Sequence, residues 1–217
     1  MDSSLSNKEL LKKDLFGEVY KAEERGNLAV VRDARPARWW LAWLARALLR
    51  REARALAALP KIDGIPQLIR QDVHTLMRSF IPGVPMHVGR PQSASYFRDA
   101  ARLLRQIHVA GVAHNDLAKE ANILLSDGGS PAFIDFQLAC YSARRGRLFR
   151  IAAREDIRHL LKHKRTYRPD LLTTRELAIL ESPSSLSRAW MSLVKPVYLF
   201  VTRRLLGWAD REGAADR

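Results

Sequence analysis

Residues 114–125 read HNDLAKEANILL, and residues 133–136 read FIDF. In these segments polar side chains stand beside two short apolar runs that are typical of β-strands. Asn122 and Asp135 each lie at the end of such a run, and Mg²⁺ takes oxygen ligands of this kind, usually together with phosphates and water. The pattern therefore predicts a site for Mg²⁺ and a nucleotide, and it leaves Asp116 to orient or deprotonate a hydroxyl.

Composition limits the class of protein. The chain has 217 residues and 47% hydrophobic content, which fits one domain or two small lobes with a sizeable core. The single cysteine, Cys140, excludes an internal disulfide framework and indicates a reducing compartment. Residues 1–9 are polar, and no apolar run reaches the roughly 18 residues of a membrane span. We therefore expect a cytoplasmic protein without a secretory signal.

The net charge of +14 predicts an anionic partner, which could be nucleic acid, acidic phospholipid or a phosphorylated glycolipid. Arginines flank two tryptophan-bearing apolar segments, residues 38–51 and 188–208. Basic residues at the margins of Trp- and Leu-rich helices are typical of a membrane interface. We expect peripheral contact with the inner face of an anionic cytoplasmic membrane, with ordinary core helices as the alternative for both segments. Only the charge supports nucleic acid.

The predicted elements place strands first and helices afterwards. Strands are predicted over residues 15–22, 28–32, 67–71 and 75–80, with a hairpin turn at 23–27 and residues 1–13 as a polar lead-in. Helices are predicted over residues 38–59, 95–110, 154–164, 174–180 and 186–208. Pro36 is expected in the first turn of the long helix, and Pro60 after its end. This order predicts an α+β fold with a β-rich lobe (1–80), a hinge (81–86) and an α-rich lobe (87–217).

The order of the motifs resembles the protein-kinase-like superfamily over roughly residues 12–160. Phe16-Gly17-Glu18-Val19-Tyr20 is similar to the end of the loop that covers nucleotide phosphates. Ala29-Val30-Val31-Arg32 is similar to the strand that ends in a phosphate-binding lysine, and Glu52 follows at the spacing of the helix glutamate that holds this cation. The resemblance implies a bilobal kinase-like fold with ATP and Mg²⁺ as cofactors.

The resemblance also implies a role for each candidate residue. Gly17 and Val19 would cover the nucleotide, and Arg32, held by Glu52, would clamp its phosphates. Asn122 and Asp135 would bind Mg²⁺, Asp116 would accept the proton of the acceptor hydroxyl, and Lys119 would neutralise charge on the transferred phosphoryl group. His114 is expected to be a structural hydrogen-bonding residue. Asp156 would tether the backbone of the catalytic loop.

Four of these residues have an alternative, purely structural interpretation. Gly17 could be an ordinary turn glycine, and Glu52 could pair with neighbouring arginines on a solvated helix face. Lys119 could be a solvated loop lysine, and Asp156 an acid in the first turn of a helix.

The chain departs from the family pattern at several places. Lys12 and Asp14 occupy the offsets of the usual first two glycines, and Arg32 replaces the lysine. Asp116 and Asn122 are one position further apart than usual, and Gln137 replaces the glycine after Asp135-Phe136. An arginine can still contact phosphates, although its planar fork is larger than an ammonium group. The loss of glycine removes backbone freedom, which favours a static site.

The compact bacterial members of the superfamily are the most similar in pattern, namely the lipopolysaccharide core sugar kinases (heptose and Kdo kinases) and the small RIO-type kinases. This resemblance implies transfer of the γ-phosphate to a hydroxyl of a lipopolysaccharide core sugar at the cytoplasmic membrane face. One alternative is a small atypical Ser/Thr protein kinase, which would phosphorylate a protein hydroxyl. The other is a non-catalytic pseudokinase scaffold that binds a membrane or a protein.

Overall fold

The computed structural model describes residues 5–59 and 61–182. These residues form a mixed α/β fold whose largest sheet has five antiparallel strands, as the α+β prediction requires. The chain divides into two compact units, Met1–Thr173 and Thr174–Arg217. All the candidate site residues belong to the first unit. The predicted helices over residues 186–208 lie outside the described residues.

The five-stranded sheet has the order β1-β2-β3-β5-β4, and each strand is antiparallel to its neighbours. Its strands are β1 (Leu5–Asp14), β2 (Gly17–Glu24), β3 (Asn27–Asp33), β4 (Leu68–Gln71) and β5 (Thr75–Ser79). Arg25 and Gly26 connect β2 to β3 with φ angles of 51° and 80°, the positive pair that a two-residue hairpin turn favours. The predicted hairpin is therefore confirmed.

The prediction that residues 1–13 are a lead-in is wrong, because β1 forms an edge strand against β2. The strand was missed because residues 6–13 are all exposed and show no apolar alternation. Its pairing is also irregular, with register shifts between Ser6 and Glu9 and between Leu10 and Lys12. Backbone hydrogen bonds hold such a strand, and charged side chains on it discourage further edge-to-edge pairing.

Helix α1 (Ala42–Ala58) connects β3 to β4. Its buried side chains include Ala45, Leu49 and Ala53, which recur every four residues and pack with Leu76 of β5. The helix begins four residues later than predicted, and Pro36 is not in its first turn. The reason is that Arg38 N donates to Leu15 O at 3.2 Å, which anchors the preceding segment in turns.

The rest of the first unit is mostly helical. Its helices are α2 (Met86–Gly89), α3 (Ala94–Val109) and α4 (Arg147–Tyr167), and its short strands are β6 (Val84–Pro85), β7 (Val112–Ala113), β8 (Ile123–Leu125), β9 (Pro131–Phe133) and β10 (Cys140–Tyr141). Strand β6 lies within the predicted hinge and pairs with β8, which in turn pairs with β9. Tyr96, Leu104, Ile107 and Phe133 are fully buried in the main core.

Helix α4 is longer than predicted, since it begins seven residues before position 154. In the second unit, α5 (Thr174–Glu181) agrees with the predicted helix over residues 174–180. No helix of the described part of the chain is long and apolar enough to cross a membrane.

His159 of α4 makes the stability of the fold depend on pH. Burial, aided by the charge of Lys162, lowers the pKa of His159 to about 4. The folded protein therefore keeps this ring neutral at pH values where the unfolded chain, with an ordinary pKa of about 6.5, binds a proton. The stabilisation is complete above pH 6.5 and is lost as the pH falls towards 4. Between pH 6.5 and pH 4, the free energy of unfolding should therefore fall by about 2 kcal/mol more for the parent protein than for His159→Gln.

Urea unfolding at a series of pH values measures this difference. The control is His87→Gln, which changes an exposed histidine and should follow the parent curve. Parallel curves for the His159 variant and the parent would contradict the prediction.

Candidate active site

Two arginines share one buried glutamate of α1. Arg32 Nη1 of β3 donates to Glu52 Oε2 at 3.0 Å, so the predicted pair is confirmed. Arg78 Nε of β5 lies 3.2 Å from Glu52 Oε1, but within residues 5–59 and 61–182 neither of these two atoms has a partner in hydrogen-bond geometry. All three side chains are buried. The alternative in which Glu52 pairs on a solvated helix face is therefore wrong.

Asp135 belongs to the same charge cluster, because Arg32 Nη1 also lies 3.3 Å from its Oδ1. Burial by itself raises the pKa of Asp135, but Arg32 and Arg78 outweigh it and the pKa lies below its usual value. Burial lowers the pKa of Arg32, but Glu52 and Asp135 outweigh it and that pKa is raised. At neutral pH the cluster thus balances two guanidinium groups with carboxylates of opposite charge.

The pKa of Arg78 moves in the other direction from that of Arg32. Burial lowers it, Glu52 only partly compensates, and the positive charge of Arg32 lowers it further. A guanidinium group nevertheless stays protonated in proteins. Arg78 was not among the predicted site residues, since an arginine within a short strand gives no signal of its orientation. It completes the contacts of Glu52 on the side opposite Arg32.

Asp116 and Asn122 are in direct contact. Asn122 Nδ2 donates to Asp116 Oδ2 and to Asp116 O, both at 2.9 Å. Lys119 Nζ lies 3.1 Å from the same carboxylate oxygen, which brings three predicted site residues together. The extra residue between Asp116 and Asn122 is accommodated by a short 3₁₀ turn, Glu120–Asn122. The loop and this turn orient the two oxygen-bearing side chains together.

One backbone and one side-chain hydrogen bond connect this loop to the segment that carries Asp135. Ile134 N donates to Asn122 O at 3.0 Å, and His114 Nε2 donates to Ile134 O at 2.9 Å. Asp116 N approaches His114 Nδ1 at 3.4 Å, so both ring nitrogens are used in backbone contacts, as the structural role predicted for His114 requires. The positive charge of Lys119 also contributes to the lowered pKa of Asp135. Lys119 thus contacts Asp116 directly and acts on Asp135 through its charge.

Asp156 tethers the loop, as predicted. Its Oδ2 accepts from His114 N at 2.7 Å and its Oδ1 accepts from Asn115 N at 2.8 Å. Asn115 has a φ of 63°, a left-handed conformation that needs such support in a residue with a side chain. Asp156 lies in the interior of α4 and is fully buried, so the alternative of a first-turn acid is wrong.

We expect Asp156→Asn to destabilise the first unit by about 2 kcal/mol, since one of the two backbone N–H groups would then face an amide donor instead of an acceptor. Hydrogen exchange should show faster exchange specifically at the amides of His114 and Asn115. Asp99→Asn, which changes an exposed carboxylate on α3, is the matched control and should leave both amides protected. Unchanged protection in the Asp156 variant would rule out the tether.

Gly17, Val19 and Arg32 line one pocket together with Ala45 and Leu49 of α1. The pocket is open to solvent. Gln137, from the segment after Asp135, lines it as well. The three residues predicted to contact the nucleotide thus meet in one cavity.

Gly17 has a structural reason to be glycine. Its φ is 133°, and a Cβ at this position would lie 2.0 Å from Asp33 O. The turn before it is closed by Phe16 N, which donates to Asp14 Oδ1 at 2.8 Å. Any side chain would force β2 away from the end of β3. The interpretation of Gly17 as a turn glycine is therefore correct, and a contact with phosphates would be an additional role.

The segment after Asp135 is held by a residue that the sequence did not reveal. Arg51 of α1 donates to Ala139 O at 2.6 Å and to Leu138 O at 2.7 Å. Asn115 Nδ2 also donates to Leu138 O at 3.0 Å. These contacts hold the backbone beyond Gln137.

No model of a known protein family matches the chain, and no curated protein is significantly similar to it.

Proposed function

We propose that the chain is an ATP- and Mg²⁺-dependent phosphotransferase with a bilobal, protein-kinase-like fold. The strand order β1-β2-β3-β5-β4, with α1 between β3 and β4, supports a kinase-like first lobe. The observation that carries the proposal is the cluster in which Arg32 contacts both Glu52 and Asp135. Further support comes from Asn122, whose carbonyl accepts from the N–H of the residue before Asp135 and whose side chain donates to Asp116.

In this proposal Arg32 binds the nucleotide phosphates, and Glu52 and Arg78 keep it in position. A carboxylate and an amide oxygen fit the preference of Mg²⁺ for hard oxygen ligands, so Asp135 and Asn122 would hold the ion. Mg²⁺ would neutralise charge on the phosphates.

The reaction is an in-line displacement. The acceptor oxygen forms a bond to the γ-phosphorus while the bond to the β–γ bridging oxygen breaks, and ADP leaves. Asp116 orients the acceptor hydroxyl and takes its proton. Lys119, 3.1 Å from Asp116, offsets negative charge on the phosphoryl group as it is transferred.

We propose a hydroxyl of a lipopolysaccharide core sugar as the acceptor. A phosphorylated glycolipid complements the net charge of +14, and the motifs resemble those of the compact bacterial sugar kinases. A protein Ser/Thr hydroxyl is the alternative acceptor. Transfer of labelled γ-phosphate to extracted lipopolysaccharide, compared with transfer to a protein lysate, distinguishes the two. Labelling of protein alone would overturn the glycolipid proposal.

A non-catalytic pseudokinase scaffold is the second candidate. It is favoured by the Arg32–Asp135 ion pair, which engages the proposed metal ligand, and by three carboxylates that line the pocket, those of Asp14, Glu18 and Asp33. A thermal shift with Mg·ATP, compared with ATP plus a chelator, tests this candidate. The enzyme should gain stability only with the metal present. No metal-dependent gain and no ATP turnover would overturn the phosphotransferase and favour the scaffold.

A further inference from the structure

Three tryptophans at the start of α1 are exposed to solvent. Trp39 is 88% exposed and Trp43 is 64% exposed, while Trp40, in the turn before the helix, is 37% exposed. The alternative of an ordinary core helix is therefore wrong for these side chains. Tryptophan is expected to be highly buried on average, so three exposed tryptophans within five positions indicate a surface that binds a partner.

The same surface is strongly basic. Trp43, Arg50 and Arg54 of α1 are all exposed. Because Arg50 and Arg54 follow Trp43 by seven and eleven residues, the three side chains lie on one face of the helix. The single carboxylate of α1, Glu52, is buried and faces the opposite side. We call the surface formed by Trp39, Trp40, Trp43, Arg50 and Arg54 the tryptophan–arginine face. It carries exposed positive charge beside exposed aromatic rings.

We propose that the tryptophan–arginine face docks the protein on an anionic phospholipid membrane. Indole rings prefer the boundary between headgroups and acyl chains, where the apolar ring is buried and the N–H is hydrated. Arginines on the same face complement lipid phosphates. Tryptophans that protrude from the end of a helix can insert into the surface of a lipid bilayer. Single-stranded nucleic acid, by contrast, is bound in basic grooves where its bases stack on aromatic side chains.

The docking face is connected to the candidate site through α1 itself. Trp43 and Glu52 are on the same helix, and at 1.5 Å per residue they are about 14 Å apart along its axis. Ala45 and Leu49, between them, line the pocket that contains Gly17. The face and the pocket therefore lie on opposite sides of the same helix. The docking proposal does not depend on phosphoryl transfer, although a glycolipid acceptor would lie in the same membrane.

The fluorescence of the face can be isolated, because the chain contains five tryptophans and the other two are Trp190 and Trp208. The full-length variant Trp190→Phe/Trp208→Phe keeps only those of the face. With vesicles of phosphatidylglycerol and phosphatidylcholine, we expect a blue shift of emission and quenching by brominated lipid. With pure phosphatidylcholine, both effects should be much weaker. Emission that vesicles leave unchanged would overturn the proposal.

Substitutions distinguish binding through the tryptophan–arginine face from attraction by the net charge of the whole protein. In co-sedimentation with anionic vesicles, Trp39→Ala/Trp43→Ala should reduce binding about tenfold, and Arg50→Glu/Arg54→Glu should do the same. The matched control is Arg105→Glu/Arg150→Glu, which makes the same change in net charge at exposed positions of α3 and α4. Equal losses for the two arginine pairs would overturn the proposal.

Two other occupants of the face would be recognised in the same experiments. A blue shift that grows with protein concentration in the absence of vesicles would indicate a second copy of the chain. An emission change with single-stranded RNA, combined with no response to vesicles, would indicate nucleic acid. Either result would overturn the membrane proposal.

Discussion

Glu52→Gln is expected to lower the free energy of unfolding by about 3 to 5 kcal/mol, since it leaves two buried guanidinium groups without their shared carboxylate. Glutamine has nearly the same shape, so the loss reports charge and not packing. Asp135, 3.3 Å from Arg32, would be the remaining carboxylate in contact with it, and Arg78 would face an uncharged amide in place of the carboxylate 3.2 Å away. Urea unfolding followed by circular dichroism measures the change.

A variant that removes Glu52 together with both of its arginines tests the cause. In Arg32→Met/Glu52→Met/Arg78→Met only the partly exposed carboxylate of Asp135 remains charged, and replacements of buried ion pairs by apolar side chains are often neutral for stability. We expect the triple variant to be more stable than Glu52→Gln. Asp170→Asn is the surface control, because its carboxylate pairs with Arg168 but is 59% exposed, and it should cost much less stability than Glu52→Gln. A triple variant that is less stable than the single one would contradict the electrostatic explanation.

Sequence reasoning reaches contacts between residues at a known spacing on regular elements and between residues that are close in the chain. Arg32 ends a buried strand, and Glu52 is on the inner face of the helix that follows, so the pair follows from periodicity and from the kinase resemblance. Asp116 and Asn122 are close in sequence, and their contact requires only one tight turn. Asp156 was predicted from the resemblance, and its position in a helix interior could not be read from the segment itself.

The residues that the sequence did not reveal are determined by tertiary contacts. Arg78 shares the face of Arg32 because it is paired with Val30 in the register of β3 and β5, and this pairing joins segments that are far apart in the chain. Arg51 donates to the carbonyl groups of residues 138 and 139, which are likewise far from it in the chain. Strand β1 has no apolar face, so it shows no hydrophobic period for sequence analysis to detect.

Asp116→Asn is expected to lower the rate of phosphoryl transfer by a factor of about 10² to 10⁴, since it removes the group that accepts the proton of the hydroxyl. The loop itself should persist, because one of the two bonds from Asn122 goes to the backbone carbonyl of residue 116. The measurement is the turnover of labelled ATP with extracted lipopolysaccharide at saturating Mg·ATP.

A nucleotide-binding assay distinguishes the general base, Asp116, from the proposed metal ligand, Asp135. Asp116→Asn should retain the thermal shift with Mg·ATP, because its role begins at the acceptor hydroxyl. Asp135→Asn should lose both the shift and turnover, since the same carboxylate is proposed to hold Mg²⁺. Asp127→Asn, in an exposed turn between β8 and β9, is the control and should behave as the parent in both assays. If the Asp116 variant keeps its turnover within about twofold, the proton must go elsewhere and the role assigned to this carboxylate is wrong.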